Sequence, residues 1–393
     1  MDLDDYRRSQ FGEARRTPGR HGYVAYFPAT IPRSLSLPAS TVKSLGDAEA
    51  ALGRLAGVGE LVPNPDLLIR PYLLREAIAS TRIEGTQASM TELLELGALG
   101  GELSPDVEEV VNYIQSMHWG LDRLRELPLS VRLMREMHAR LLAGVRGRDR
   151  RPGEVRTSQN WIGGSGSTIE SARYVPPPPE ALGPLLDDWE RFAHEDPEMP
   201  LLVQNALLHY QFETLHPFLD GNGRLGRLLI VFFLVQRGRL GGPLLYLSSY
   251  FERDRPRYYA ALQAPRETGD ITPWITLFLE AVTAEATDAV RRAERILVLR
   301  ERYRGIASGV SSSNAVPLVD LLCELPIITA RAVQDRLHVT RPTALSLLRR
   351  LARLGVVTES AAGQRGQLRF VATELLAAVV SDEEELRSSP PPR

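Results

Sequence analysis

His216-Pro-Phe-Leu-Asp220-Gly-Asn-Gly-Arg224-Leu-Gly-Arg227 decides the reading of this chain of 393 residues. It sets a His and a carboxylate four residues apart on a loop. The loop leads through Gly221-Asn222-Gly223 into Arg224 to Gln236, which is nearly all apolar. In a soluble protein such a stretch is a helix in the middle of a bundle. The first amides of that helix point outward unpaired, and its dipole favours an anion there. The glycines let a phosphate approach the backbone closely. Arg224 and Arg227, three apart on one face of the first turn, add donors suited to further phosphate oxygens. Asp220 offers a hard oxygen, and one carboxylate plus substrate phosphates is the usual way to hold Mg²⁺. His216, with an ordinary pKa of about 6.5, can take a proton from an attacking hydroxyl. Alone, each part is commonplace: a turn, a cap, arginines facing water. Together they read as a site for nucleotidyl or phosphoryl transfer.

Outward from this loop the chain reads as mainly helical. Apolar spacings of three, four and seven predict helices over 41–56, Asp66 to Ile83, Pro105 to Arg125, Ser130 to Ala143, Pro179 to Glu195, Pro200 to Leu215 and Trp274 to Ala289, the last extending toward Arg304. Gly153 to Pro179 differs, with Gly163, Gly164, Gly166 and the run Pro176 to Pro179, and predicts a β-hairpin. Residues 1–20 show no period and read as a loose arm. Gly305 to Asn314 is the best linker, and Ser381 to Arg393 has no core-forming residues and reads as disordered.

Composition excludes several classes. Lys+Arg 47 against Asp+Glu 49 leaves a net charge of -2, too little for nonspecific coating of nucleic acid, so DNA contact requires a local patch. A single cysteine, Cys323, excludes a disulfide scaffold and a multi-cysteine metal site. The acidic start and a longest apolar run of Leu228 to Val235 argue against a signal peptide and a membrane span, so the expected location is cytoplasmic.

The stretch 216–227 resembles the signature of the Fic family, HxFx(D/E)GNGRxxR, at every specified position. A chance match in a chain of this length has a probability on the order of 10⁻⁷. The upstream Ala206 to Leu215 also resembles the helix before the family's active-site loop, and the resemblance covers roughly residues 20 to 290. It implies a Fic-type helical bundle with a β-hairpin flap, and transfer of AMP from MgATP to a Ser, Thr or Tyr hydroxyl of a target protein, self-modification included. On that resemblance His216 is the base and Asp220 the Mg²⁺ ligand. Gly221, Asn222 and Gly223 form the anion hole, with Leu225 and Gly226 beside them, and Arg224 and Arg227 hold the outer phosphates. Ile162 and Gly163 lie on the flap, which clamps the target by strand pairing. Tyr258-Tyr259 matches a pair found near the adenine, but Arg266 stands where relatives carry Asn, a departure that leaves UMP, phosphate or phosphocholine transfer open. A homodimer is expected.

Ser80-Thr-Arg-Ile-Glu84-Gly85 resembles the inhibitory motif (S/T)xxxE(G/N) of the N-terminally inhibited class. It implies that Glu84 pairs with Arg227 and puts negative charge where a phosphate should lie. Like charges about 4 Å apart repel by about 4 kcal/mol at an effective dielectric near 20, enough to misplace ATP. Removal of AMP through a water placed by Glu84 is the other implication of this motif.

Beyond the linker, three short helices and a two-stranded wing fit a winged helix-turn-helix over 316–378, with Arg341, Arg349, Arg350 and Arg353 on the reading helix. Over 316–380 eight Arg face five carboxylates. This module either binds DNA or packs on the bundle and mediates protein contacts. The expected organisation is an arm at 1–20, an N-terminal region with the inhibitory helix at 21–110, and a catalytic domain at 111–290. A helical extension and linker at 291–315, the winged helix at 316–378 and a tail at 379–393 complete it. The competing reading is a DNA-binding regulator whose bundle senses nucleotide without turnover.

Overall fold

The computed structural model describes residues 1–18, 22–61, 66–99, 102–164, 166–362 and 367–380. The expected tail at 381–393 and all but Gln367 of the expected wing tip at Gly363 to Gln367 lie outside the described residues. In chain order the elements begin with β1 (Gly12–Arg16), β2 (Val24–Pro28), α1 (Ala39–Leu61), α2 (Asp66–Ile83) and α3 (Met90–Leu99). Then come α4 (Pro105–Leu124), α5 (Val131–Leu141), a 3₁₀ turn at Pro179–Ala181, α6 (Leu182–His194), α7 (Leu201–Leu215) and α8 (Asn222–Gln236). They are followed by α9 (Ser248–Arg253), α10 (Arg255–Thr268) and α11 (Thr272–Ser308).

The centre is the pair α7 and α8. Every residue from Leu202 to Leu215 is buried, as is every one from Arg224 to Leu234, so both helices are enclosed on all sides. The loop 216–221 joins them. Helices α4, α5, α6 and α11 pack around the pair, and α1 lies along α11. Local chemistry sets several helix starts. Ser104 accepts from Val107 N–H at the head of α4, with Pro105 at the first position, and Ser130 accepts from Leu133 N–H at the head of α5.

The C-terminal part holds α12 (Ala315–Glu324), β3 (Ile327–Ile328), α13 (Ala330–Leu337), α14 (Arg341–Arg353), β4 (Thr358–Ala362), β5 (Gln367–Val371) and α15 (Thr373–Val380). Its antiparallel sheet has the order β3-β5-β4, with Thr358 opposite Val371 and Ile328 opposite Phe370. Thr329 and Thr340 cap α13 and α14 through their hydroxyls. Leu318, Ile328, Leu348 and Phe370 belong to the same apolar core as α7 and α8, so this part is packed onto the bundle. Among the described residues no helix is long and apolar enough to cross a membrane.

Three expectations change. The arm at 1–20 is ordered over residues 1–18: β1 pairs with β2, the terminal amine donates to Glu170 O, and Phe11 is buried. Five residues on one two-stranded ribbon are too few to show a period. The linker at 305–314 begins later, since α11 carries on through Ser308, where Tyr303 and Ala307 are buried and hold the last turns against the core. The hairpin over 153–179 is present in minimal form. A single antiparallel bridge joins Ile162 and Tyr174, with N–H to O distances of 2.8 and 3.1 Å. Helices α3, α9, α10 and α15 were not read from the sequence, nor was β3, which makes the expected two-stranded wing a three-stranded sheet.

Candidate active site

His216 caps the C-terminus of α7 in the left-handed region, at φ 46° and ψ 59°. A side chain there costs roughly 1 kcal/mol, so the surroundings must hold it. They do so through carbonyls. Arg156 Nε donates to His216 O at 2.9 Å, and its Nη2 donates to Pro177 O and Leu215 O at 2.6 and 3.2 Å. Asn160 Nδ2 donates to Phe218 O at 2.9 Å and to His216 O at 3.3 Å. Two residues at the base of the flap thus satisfy groups that the end of α7 leaves open. Burial pushes the His216 imidazole down to about 4, helped by Arg156 and Arg266 and opposed by Glu84.

The loop braces itself. Asn222 Oδ1 accepts from Phe218 N–H at 2.9 Å while its Nδ2 donates back to Phe218 O at 2.8 Å, so the Asn222 amide is spent on the loop. Gly221 stands at φ 74°, and a Cβ there would lie 3.3 Å from His138 Nε2. His138 is fully buried and stacks on Phe218 at 4.0 Å between centroids. Its Nδ1 accepts from Gly153 N–H at 2.8 Å, which leaves Nε2 to donate to Asp220 O at 2.8 Å. Burial holds this imidazole at about 4, hence neutral.

The two motif arginines part company. Arg227 donates from Nε to Ser80 Oγ at 2.9 Å, and from Nη2 to Ser80 O at 2.8 Å and Glu84 Oε1 at 2.9 Å. Burial alone would raise the Glu84 carboxyl; the Arg227 guanidinium, with Arg224 and His216, reverses this and holds it below the usual carboxylate range. A Cβ at Gly223 would come 2.4 Å from Glu84 Oε1, so that glycine lets the carboxylate reach the N-terminus of α8. Arg224 makes its own ion pairs with other carboxylates. It is 1% exposed and pairs with Glu109 at 2.9 Å and Asp220 at 3.4 Å.

His216, Gly223, Arg227 and Glu84 line one cavity of about 460 Å³, together with Glu213 of α7. Trp161, Ile162 and Gly163 of the flap close one part of it, and Tyr258, Tyr259, Gln263 and Arg266 another. Tyr258 is buried, with its hydroxyl 2.9 Å from His209 Nε2, whereas Tyr259 is exposed. Arg266 is 4% exposed, donates to Thr214 Oγ1 at 3.0 Å and to Gln263 Oε1 at 3.1 Å, and lies 3.9 Å from the Tyr174 ring centroid. Seven expected site residues fall outside the lining: Ser80, Asp220, Gly221, Asn222, Arg224, Leu225 and Gly226. Arg224 is engaged by carboxylates, and the Leu225 side chain is fully buried in the core, so any contact of Leu225 with a nucleotide comes from its main chain. Gly226 has Glu213 Oε1 and Phe212 against it and acts as a spacer. Asp220 Oδ1 accepts from Gly221 N–H at 2.6 Å. Arg341, Arg349, Arg350 and Arg353 are exposed along α14, with Arg349 3.5 Å from Glu359.

Sequence reading did not find Arg156, Asn160, His138, Glu109 or Glu213. Each sits in an ordinary-looking stretch, and only Arg156 and Asn160 carry a signal, polar residues placed where the hairpin was expected.

Residues 42–122 match the Fic/DOC family N-terminal region, and residues 128–234 match the Fic/DOC family. The protein adenylyltransferase Fic of Drosophila yakuba is 30% identical over 216 residues, and that of Drosophila melanogaster 29% over 216 residues. Each alignment covers 53% of this chain and 40% of the relative, so the chain spans well under half the length of these curated proteins. Among solved structures, a Fic family protein from Desulfovibrio desulfuricans superposes with a TM-score of 0.56 at 19% identity, covering 86% of this chain and 97% of that one. Fic-1 from C. elegans superposes with a TM-score of 0.50 at 20% identity, covering 65% and 73%. These two likenesses bear on the fold. The chain therefore carries a Fic/DOC family N-terminal region at residues 42–122 followed by a Fic/DOC family domain at residues 128–234.

Proposed function

We propose that this protein is an adenylyltransferase that moves AMP from MgATP to a Ser, Thr or Tyr hydroxyl of a target protein, and that Glu84 holds it off at rest. The observation that carries the reading is the meeting of His216, Arg227 and Glu84 in one cavity, with Glu84 on the guanidinium that an outer phosphate would need. His216 takes the proton of the target hydroxyl as that oxygen attacks the α-phosphorus. The bond from that phosphorus to the bridging oxygen breaks, and pyrophosphate leaves. The amides opening α8 and Arg227, freed of Glu84, bind the phosphate oxygens. Arg224 acts from behind by orienting Asp220. A metal would be held by Asp220 as a lone carboxylate together with substrate phosphates. Bound Mg²⁺ neutralises triphosphate charge. The half-exposed Trp161 and Ile162 offer a flap edge on which an extended target segment can pair.

A second role attaches to the C-terminal part. Its helix order, its three-stranded sheet and the four exposed arginines of α14 support a winged helix-turn-helix that contacts DNA.

Incubation with α-labelled ATP tests the main reading. Glu84→Gly should raise labelling of the protein itself or of a lysate acceptor by more than about tenfold, and adding His216→Ala should lower it by about 10² or more. A Glu84→Gly protein that transfers no label sinks the proposal.

A further inference from the structure

Glu213 lies in the last turn of α7, three residues before His216, and the proposed reaction gives it no part. It is 7% exposed, and both of the atoms that matter are orphans. Glu213 Oε1 and His216 Nδ1 are buried with no hydrogen-bond partner of sound geometry. Glu213 Oε2 stands 3.9 Å from that same Nδ1. Buried polar atoms seldom stay unpaired, and the other oxygen of this carboxylate, Oε2, faces the unpaired Nδ1 across that 3.9 Å, while Oε1 lies against Gly226. The His216 side chain keeps 20% of its surface exposed while Nδ1 keeps none, so the exposed part is the remainder of the ring, which lines the cavity.

Resting on the transferase reading, we infer that Glu213 is a positioning residue for His216: its carboxylate holds the imidazole proton on Nδ1 and so leaves Nε2 free to accept the proton of the target hydroxyl. The same carboxylate then faces the imidazolium formed when the hydroxyl proton arrives. No other atoms are exchanged in this step.

The charges around the pair make this support necessary. Arg156 and Arg266 both disfavour a second proton on His216, while Glu84 favours it. Activation withdraws Glu84 from the site, so the base loses one supporting anion at the moment it is needed. Glu213 is the carboxylate that remains. Burial raises its carboxyl to about 7; Arg227 and Arg266 pull it down, and Glu84 pushes it up. Tyr258 packs near it, held neutral by burial. Withdrawal of Glu84 therefore favours ionised Glu213, and the inhibitor's departure readies the base as well as freeing Arg227. The Glu213 main-chain carbonyl also favours a proton on His216, and the variant Glu213→Gln keeps that carbonyl while removing the charge.

Two readouts in the full-length Glu84→Gly protein test the role. Long-range ¹⁵N–¹H correlations of His216 at pH 8 should show the proton on Nδ1, and Glu213→Gln should convert this to a mixed or Nε2–H pattern. In steady-state transfer, Glu213→Gln should lower kcat about tenfold or more with KM for ATP within about twofold, and should remove the acid limb of the pH profile that Glu213 sets. Unchanged ring signals and an unchanged pH profile overturn the inference, as does a loss of activity with the ring signals unchanged. Should Glu213→Gln fold poorly, the pH course in the Glu84→Gly protein decides: a proton that moves onto Nδ1 between pH 5 and pH 8 follows ionisation of the carboxylate, and one that keeps its place throughout, as the main-chain carbonyl alone would hold it, overturns the inference. Absence of any transfer by Glu84→Gly would defeat the transferase reading and leave the ring signals to decide the role of Glu213.

Discussion

At the scale of single residues, the site is built from groups whose charge is set by burial. Glu76 shows the principle away from the chemistry. It is 1% exposed on α2, accepts from Tyr113 Oη at 2.7 Å and from Ser248 N at 3.1 Å, and burial lifts its carboxyl to about 7. A pKa raised from 4.5 to about 7 means that folding favours the protonated form. Its contribution is complete below pH 4.5 and is lost as pH rises through 7, by about 3 kcal/mol in all. Glu76→Gln should therefore gain relative to the parent protein between pH 5 and pH 8. Thermal melts at the two pH values decide it; a difference that does not grow with pH rejects the assignment. The neutral His138 acts in the opposite sense and supports stability above its ordinary range, so the comparison must be made within one variant pair.

At the scale of elements, α2 is a bolt along the bundle. One turn apart on one face, Glu76 is tied to Ser248 and Tyr113, Ser80 to Arg227, and Glu84 to Arg227 again. Ser80→Ala removes the acceptor of the Arg227 Nε bond but leaves Ser80 O and Glu84 in place. Losing one charged hydrogen bond of about 1.5 kcal/mol should release inhibition by a few-fold, up to about tenfold, and less than Glu84→Gly does. Labelling with α-labelled ATP ranks the two variants; equal activation by both would show that Ser80 and Glu84 are not separable steps of one latch.

At the scale of the whole molecule, the C-terminal part bears on that bolt. Helices α12 and α15 pack against α2, and β3 and β5 pack against α3. Arg369 of β5 forms an ion pair with Glu95 of α3, and buried Arg292 of α11 donates to the carbonyls of Ala378 and Val379 in α15. A continuous run of packed elements thus joins the C-terminal part to the helix that ends just before Glu84. Arg369→Glu, which sets like charges across the α3 contact, should raise labelling of the otherwise unaltered protein. Labelling equal to the parent would separate the two parts functionally.

The sequence by itself determined the loop 216–227, the enclosed apolar helix after it and the motif that carries Glu84. These are legible because loop, helix start and glycines are consecutive, and because a helix apolar on every face has one place to go. It also carried three of the C-terminal helices and the two wing strands, whose helix caps at Thr329 and Thr340 are local, but not β3 or α15. Only the tertiary structure decided what surrounds the loop. Arg156 and Asn160 lie 60 and 56 residues from the carbonyl they both hold. Glu109, 115 residues from Arg224, turns that arginine from phosphate donor to buried brace. Glu213 is near His216 in the chain, yet its importance rests on burial and on two unpaired atoms, which no pattern of residue types records. Side-chain partners chosen across long loops depend on packing, and packing is a property of the folded chain.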